Sequence, residues 1–187
     1  MRKDLIKKDN GITLIALVIT VIVLSIMITI VIRYGSESIE NANIQNMQTN
    51  MLLIEAKAKG FVENANYNLG VKPEEATSEM KQKSLSELEG TGKGTKVIDG
   101  DEIIDKVSSI TGLSNSEIVS GNVYKLSTQD LEAMGISGVE SNQENGWYFI
   151  VYDITNASAK IYNTLGIKIN KTETKYCLDD IRNIEFE

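Results

Sequence analysis

The pattern of apolar and polar positions divides the chain into an apolar first segment and a mixed remainder. Residues 12–32 form a run of 21 residues without a charge, which Arg33 ends. A helix of that length rises about 32 Å at about 1.5 Å per residue, enough to cross a hydrocarbon core of about 30 Å. The run is rich in β-branched residues, but a single span in lipid has to be helical because its backbone must satisfy its own hydrogen bonds. The pattern therefore predicts a transmembrane helix over residues 12–32.

Beyond Arg33 the apolar positions become periodic, three and four residues apart, as on one face of a helix. That face consists of Ile44, Met47, Met51, Ile54, Ala58 and Phe61. The spacing predicts an amphipathic continuation over residues 33–62, so that one long helix runs from about Ile12 to Val62 and its second half packs on a globular head. A coiled coil is the alternative, although under two heptads outside the membrane is short for one.

Residues 63–187 predict a globular head that begins with two short helices. The first, in KPEEATSEMKQKSLSELEG, has Pro73 in its first turn and stops at Gly90. The second, in DGDEIIDKVSSITG, is capped by Asp99 or Asp101. The intervening GTGKGTK predicts a flexible loop, because it lacks the spacing of a phosphate-binding loop and no apolar strand precedes it.

The last third of the chain carries the strongest β signal. Ser127 or Thr128 caps another short helix, and Trp147–Ile154, the turn TNAS and Ala159–Thr164 then predict a C-terminal hairpin over about residues 147–164. KYCLDDIRNIEF predicts a final strand or a short helix. The predicted fold class is α+β, with a long N-terminal helix packed on a small antiparallel sheet. The aromatic residues of the first strand are predicted to be core and sheet cover rather than a ligand-stacking surface.

Composition restricts the classes of function. The formal net charge is −7, and the sequence outside the first eleven residues has no basic patch that could neutralise phosphates. Both features argue against nucleic acid as a partner. The chain has no histidine and one cysteine, Cys177, which excludes Ser-His-Asp and Cys-His catalysis and most zinc chemistry. The acidic run near Asp101 departs from a calcium loop at its third ligand, where Ile103 stands. We therefore predict no cofactor, no metal site and no enzymatic activity.

The residues before the apolar run predict its orientation and processing. Four basic side chains in residues 1–11 place this end in the cytoplasm and the head outside, by the positive-inside rule. Secretory signals have apolar regions of about 7 to 15 residues and a small-residue cleavage site. This run is longer, and RYGSESIE follows it without such a site. Gly11 lies between the basic residues and the apolar run, where it favours an extended backbone accessible to a protease.

The stretch KKDNGITLIALVITVIVLSI resembles the class III signal of type IV prepilins and pseudopilins, including pilin-like proteins of Gram-positive bacteria. In that family a membrane peptidase cuts after the glycine and methylates the new terminal residue. The resemblance implies a leader of residues 1–11, cleavage between Gly11 and Ile12, and N-methylation of Ile12. Most pilins have a glutamate at the fifth mature position, which pairs with a neighbouring subunit's terminal amine. Ala16 stands there in this chain, which implies a minor subunit.

The resemblance also implies partners. These are the prepilin peptidase, membrane lipid and other pilin-like subunits, which the N-terminal helix would contact in a type IV pilus or a type II secretion-like filament. Thr13, Ala16 and Thr20 fall within about 60° of each other on that helix, a stripe that permits close helix packing. The alternatives are a mildly polar span without a partner, a single-pass signal-anchored binding module that is not assembled, and an anchored enzyme.

Overall fold

The computed structural model describes the backbone of residues 6–169 and 173–184. Side chains are described within these ranges except at residues 6–15, 33–38 and 40. The chain divides into two compact units, Met1–Gln45 and Asn46–Glu187. The first helix contributes residues to both units, and the second unit contains the strands and the shorter helices.

The described residues form an α+β fold, which confirms the predicted class. The helices are α1 (Ile6–Leu69), α2 (Ser78–Ser86), α3 (Ile104–Thr111), α4 (Asn115–Ser120), α5 (Thr128–Ala133) and α6 (Leu178–Ile181). The strands are β1 (Thr95–Lys96), β2 (Val123–Leu126), β3 (Tyr148–Asp153), β4 (Ser158–Ile169) and β5 (Glu173–Cys177). They form one antiparallel sheet in chain order, so each strand pairs with the strands next to it in the sequence.

The helix α1 is longer at both ends than predicted. It begins at Ile6 and passes through Gly11, so the backbone there is helical, which corrects the predicted extended conformation. One glycine costs a helix only about 1 kcal/mol relative to alanine, too little to end a helix of this length. At the other end the helix continues past Val62 to Leu69, and Gly70 follows with φ +67°, the left-handed conformation that terminates helices.

The sheet of the Asn46–Glu187 unit is covered on both faces. Phe149 of β3 joins a buried cluster with Val107 of α3 and Ile118 of α4. Successive side chains of a strand point to opposite faces, and Tyr148 and its neighbours two residues apart are also buried. Burial raises the pKa of Tyr148, and the nearby Asn50 side chain of α1 acts in the opposite direction. The aromatic side chains of β3 are therefore mainly core, as predicted. The cluster that Phe149 forms with α3 and α4 was not predicted.

The helix α2 begins later and ends earlier than the sequence predicts. Its N-cap is Thr77, whose side-chain oxygen accepts a hydrogen bond from the Met80 amide at 3.3 Å. Pro73 lies in a turn ahead of the helix rather than in its first turn, and the helix ends at Ser86 rather than near Gly90. The start of α2 is therefore set by the side-chain cap of Thr77 and not by Pro73.

The predicted caps of the other two helices have different outcomes. The N-cap of α3 is Ile103 without a side-chain cap, so Asp99 and Asp101 were wrong as its caps. Asp101 instead accepts a hydrogen bond from the Ile103 amide at 3.3 Å. The N-cap of α5 is Ser127, which forms a capping box with Asp130, so the alternative between Ser127 and Thr128 resolves to Ser127.

The glycine-rich segment GTGKGTK forms part of the sheet rather than only a loop. Thr95–Lys96 pairs with β2. Gly94 approaches the sheet so closely that a Cβ on it would lie 2.6 Å from the Lys125 carbonyl oxygen. The Lys93 ammonium donates hydrogen bonds to carbonyl oxygens at the end of α2 and just beyond it, among them Ser86 at 2.6 Å. The segment is therefore held by contacts that its composition does not indicate.

The C-terminal hairpin is confirmed and extended. β4 continues from the predicted end at Thr164 to Ile169 and pairs there with β5. The segment predicted as a strand or a helix supplies both, because β5 ends at Cys177 and α6 starts at the next residue.

Candidate functional site

The first described part of α1 presents apolar side chains on all sides. Every residue from Ala16 to Ile32 is exposed in the single chain. Its large apolar side chains keep between 48% and 68% of their surface accessible. Soluble monomers rarely expose contiguous apolar patches of this extent, which mark contact with a membrane or with other proteins. This surface is the candidate functional site.

The hydroxyl groups within this surface have partners inside the helix. Thr20 Oγ1 donates to the Leu17 carbonyl oxygen at 2.8 Å. Ser25 Oγ donates to the Val21 carbonyl oxygen at 2.8 Å, and Thr29 Oγ1 donates to that of Ser25 at 2.8 Å. Each hydroxyl can therefore enter an apolar environment without leaving an unpaired donor, whose burial would cost free energy.

The predicted packing residues Ala16 and Thr20 are exposed on this helix. Gly11 and Ile12, predicted as processing residues, and Thr13, predicted as a packing residue, belong to the α1 backbone, and their side chains lie outside the described residues. Across the side chains that the structure describes, no helix combines the length and the apolar character needed to cross a membrane. The predicted span begins at Ile12, so its first side chains fall outside that description.

The predicted amphipathic face of α1 is buried in its central part. Met51, Ile54 and Ala58 are fully buried, whereas Ile44, Met47 and Phe61 are half-buried. Beyond Ala58 the buried face continues at Val62, Ala65 and Leu69. The face moves from Phe61 to Val62 because a helix turns once every 3.6 residues, so a strict seven-residue repeat drifts by about 20° per heptad. Residues of α1 thus form a wall of the head's own core.

Hydrogen bonds from α1 hold the end of α6 within the head. The Gln48 side-chain amide donates to the carbonyl oxygens of Ile181 at 3.2 Å and Arg182 at 2.9 Å. The Arg182 guanidinium lies 2.9 Å from the Glu55 carboxylate, and this hydrogen bond raises the pKa of Arg182 above its ordinary value. These contacts could not be predicted from the sequence, because their partners are more than a hundred residues apart and carry no periodic signal.

Replacing Gln48 with alanine is expected to lower the free energy of unfolding by about 1 kcal/mol. The two carbonyl oxygens at the end of α6 would lose their donor, and a hydrogen bond contributes about 0.5 to 1.5 kcal/mol. Urea titration of the full chain in detergent micelles measures the change. Lys57→Ala, at an exposed position of the same helix, is the control and should change stability by less than about 0.5 kcal/mol. Equal effects of the two substitutions would contradict these hydrogen bonds.

Burial shifts the pKa of ionisable groups in the core of the head. The Tyr152 hydroxyl donates to the Lys93 carbonyl oxygen at 3.0 Å, and burial raises the pKa of Tyr152. Burial also raises the pKa of the Cys177 thiol, so the thiol stays protonated and weakly nucleophilic at neutral pH. Among the side chains that the structure describes, no three carboxylate or thiol groups come together as ligands for a metal ion.

Comparison with protein-family models, with curated proteins and with solved structures found no match.

Proposed function

We propose that this protein is a pilin-like structural subunit, processed by a prepilin peptidase and incorporated as a minor subunit in a type IV pilus or type II secretion-like filament. The observation that carries the proposal is the apolar surface of residues 16–32, exposed on all sides in the single chain. Burial of that surface is strongly favourable. Lipid buries it before assembly, with the N-terminus in the cytoplasm, and neighbouring subunits bury it in the filament.

The local chemistry of this helix supports packing against other helices. Ala16 and Thr20 offer small side chains one turn apart, and the Thr20 hydroxyl is already bonded to Leu17, which leaves its methyl group for contact. No carboxylate occupies position 16 to pair with a neighbour's terminal amine. The chain therefore joins through apolar packing alone, which suits a subunit present in few copies.

The head is attached in a way that suits a filament subunit. Met51, Ile54 and Ala58 of α1 are fully buried in the Asn46–Glu187 unit. Residues 46–69 therefore cannot leave the head without unfolding its core, because burial of each large apolar side chain stabilises the fold by about 1.5 to 3 kcal/mol. A filament that holds α1 consequently retains a folded head.

Mass spectrometry of the protein from its own host's membranes tests the proposal. We expect a chain that begins at Ile12 and is one methyl group heavier at that residue. Gly11→Val is expected to retain the leader, because a β-branched side chain crowds the bond to be cut and stiffens its backbone. Asn10→Ala, beside the cleaved bond, is the matched control and should still be processed.

A wild-type chain that still begins at Met1 would overturn the processing step and leave a signal-anchored surface protein. Assembly is tested separately with Ala16→Cys or Thr20→Cys, positions at which two packed helices come close. A filament predicts disulfide-linked copies in sheared surface fibres, whereas an unassembled anchor predicts none. The native Cys177 is buried and does not compete.

A further inference from the structure

A cavity of about 270 Å³ opens in the head where the start of α3 faces the start of β3 and the middle of β4. Its apolar wall is formed by Ile103, Trp147 and Leu165. Its polar rim is formed by Glu102, Lys106 and Gln143. A concave site with apolar walls and a few convergent polar groups is the usual form of a small-molecule binding site.

A bulge in β4 builds one side of the cavity. The register between β4 and β5 shifts between Tyr162 and Ile167. Asn163 is fully buried there, and its Oδ1 accepts hydrogen bonds from the amides of Leu165 at 2.8 Å and Gly166 at 3.2 Å. Bulges redirect side chains, often next to functional sites. This one turns Leu165 outward, where 58% of the side chain is exposed although it is large and apolar.

The adjoining segment at the start of β3 is held by hydrogen bonds as well. The Trp147 amide donates to Thr164 Oγ1 at 2.8 Å, and the Asn163 side-chain amide contacts the Gly146 carbonyl oxygen at 3.5 Å. Gly146 has φ +82°, and a Cβ on it would lie 2.6 Å from Asn163 Oδ1. The backbone at Gly146 and at Leu165–Gly166, beside the cavity, is thus fixed by one buried side chain, so this part of the wall is preformed before a ligand arrives.

The charges around the cavity largely cancel. The Lys125 ammonium lies 4.8 Å from the Trp147 ring centroid and bonds the carboxylates of Asp101 at 3.0 Å and Glu102 at 3.2 Å. That cation is therefore already paired. The Glu102 carboxylate, which also accepts from Lys125, has further acceptor capacity at the rim. The Lys106 ammonium, 5.2 Å from the Tyr176 ring centroid, and the uncharged amide of Gln143 add hydrogen-bond donors.

We propose that this cavity binds the pyranose ring of a neutral saccharide. A sugar ring has apolar C–H faces that suit the wall of Trp147, Leu165 and Ile103. Its hydroxyl groups both donate and accept hydrogen bonds, which suits a carboxylate, an ammonium and an amide on one rim. A balanced rim favours neither an anion nor a cation. The site lies in the head and does not depend on the proposed processing or assembly.

Intrinsic fluorescence tests this directly, because Trp147 is the only tryptophan in the chain. The full chain, in a detergent without a sugar headgroup, is titrated separately with glucose, galactose and N-acetylglucosamine. We expect at least one of them to change the emission saturably, with a Kd of roughly 1 mM, as suits a single small ring. Mannitol, an acyclic polyol, is the solvent control and should give no saturable change.

Gln143→Ala removes an exposed rim side chain and is expected to weaken binding about fivefold, the equivalent of one lost hydrogen bond. Leu165→Ala removes part of the wall and is expected to weaken binding at least as much. Glu144→Gln, exposed on the same loop but outside the cavity, should leave the affinity unchanged. Circular dichroism confirms that each variant is folded.

The absence of a saturable response to all three sugars would overturn the proposal. If Gln143→Ala and Leu165→Ala both bound the sugar as tightly as the wild-type chain, the sugar would bind elsewhere, and the proposal would also be overturned. A leucine-rich peptide that changes the emission where sugars do not would identify a peptide site instead. None of these results affects the N-terminal mass, so failure of this proposal is distinguishable from failure of the filament proposal.

Discussion

Phe149→Ala is expected to lower the free energy of unfolding by about 3 to 5 kcal/mol, the usual cost of deleting a buried aromatic side chain from a core. Phe149 is fully buried and stacks on Tyr162, with ring centroids 4.8 Å apart and an interplanar angle of 4°. It also contacts the cluster that contains Val107 and Ile118. The substitution therefore leaves a cavity between the sheet and the α3–α4 layer, which the surrounding strands cannot close.

Urea unfolding of the full chain in detergent, followed by far-ultraviolet circular dichroism, measures this loss. Tyr67→Ala is the control, because this side chain is 88% exposed and its truncation should change stability by less than about 0.5 kcal/mol. A loss below about 1 kcal/mol for Phe149→Ala would mean that the layer of α3 and α4 is not packed on the sheet as described.

Gly146→Ala is expected to lower the free energy of unfolding by about 2 to 4 kcal/mol. Two effects add: φ is +82°, where a residue with a Cβ is strained by about 1 to 2 kcal/mol, and the new Cβ would overlap its surroundings. It would lie 2.6 Å from Asn163 Oδ1, 2.7 Å from the Leu165 Cβ and 2.9 Å from the Leu165 amide nitrogen. The second of these effects displaces the bulge that presents Leu165.

Gly138→Ala separates the two effects. Gly138 has φ +77° but no atom within 4 Å of the added Cβ, so only the backbone strain of about 1 to 2 kcal/mol applies. The difference between the two variants in urea titration measures the crowding at Asn163. If the two variants lost the same free energy of unfolding, the added Cβ at Gly146 would displace Asn163 and the bulge at no energetic cost. That result would contradict the hydrogen bonds described for Asn163.

The periodic parts of the fold could be predicted from sequence. The three- and four-residue spacing from Met51 to Ala58 indicated the buried face of α1, since a helical face repeats every 3.6 residues whatever lies opposite it. The β-branched and aromatic run of β3 indicated a strand for a similarly local reason. The sequence also indicated that Ser127 or Thr128 caps α5, and the structure selects Ser127, whose side chain bonds the backbone three residues on.

Other elements depend on partners that are distant in the sequence. β1 and β2 are too short to show alternation, and they exist because each finds a neighbouring strand. The hydrogen bonds of Gln48 to the end of α6 join residues 133 positions apart in the sequence. Asp101, predicted as a helix cap, instead forms an ion pair with Lys125, which lies 24 residues further along the chain.

The sequence by itself determined the α+β class, the long helix, its apolar face and the C-terminal hairpin, because these follow from the intrinsic periods of helix and strand. Only the tertiary structure decided the packing of α3 and α4 on the sheet, the exposure of Leu165 at the bulge and the cavity beside Trp147. These depend on strand register and on side chains such as Asn163, whose hydrogen-bond partners are chosen only when distant segments meet.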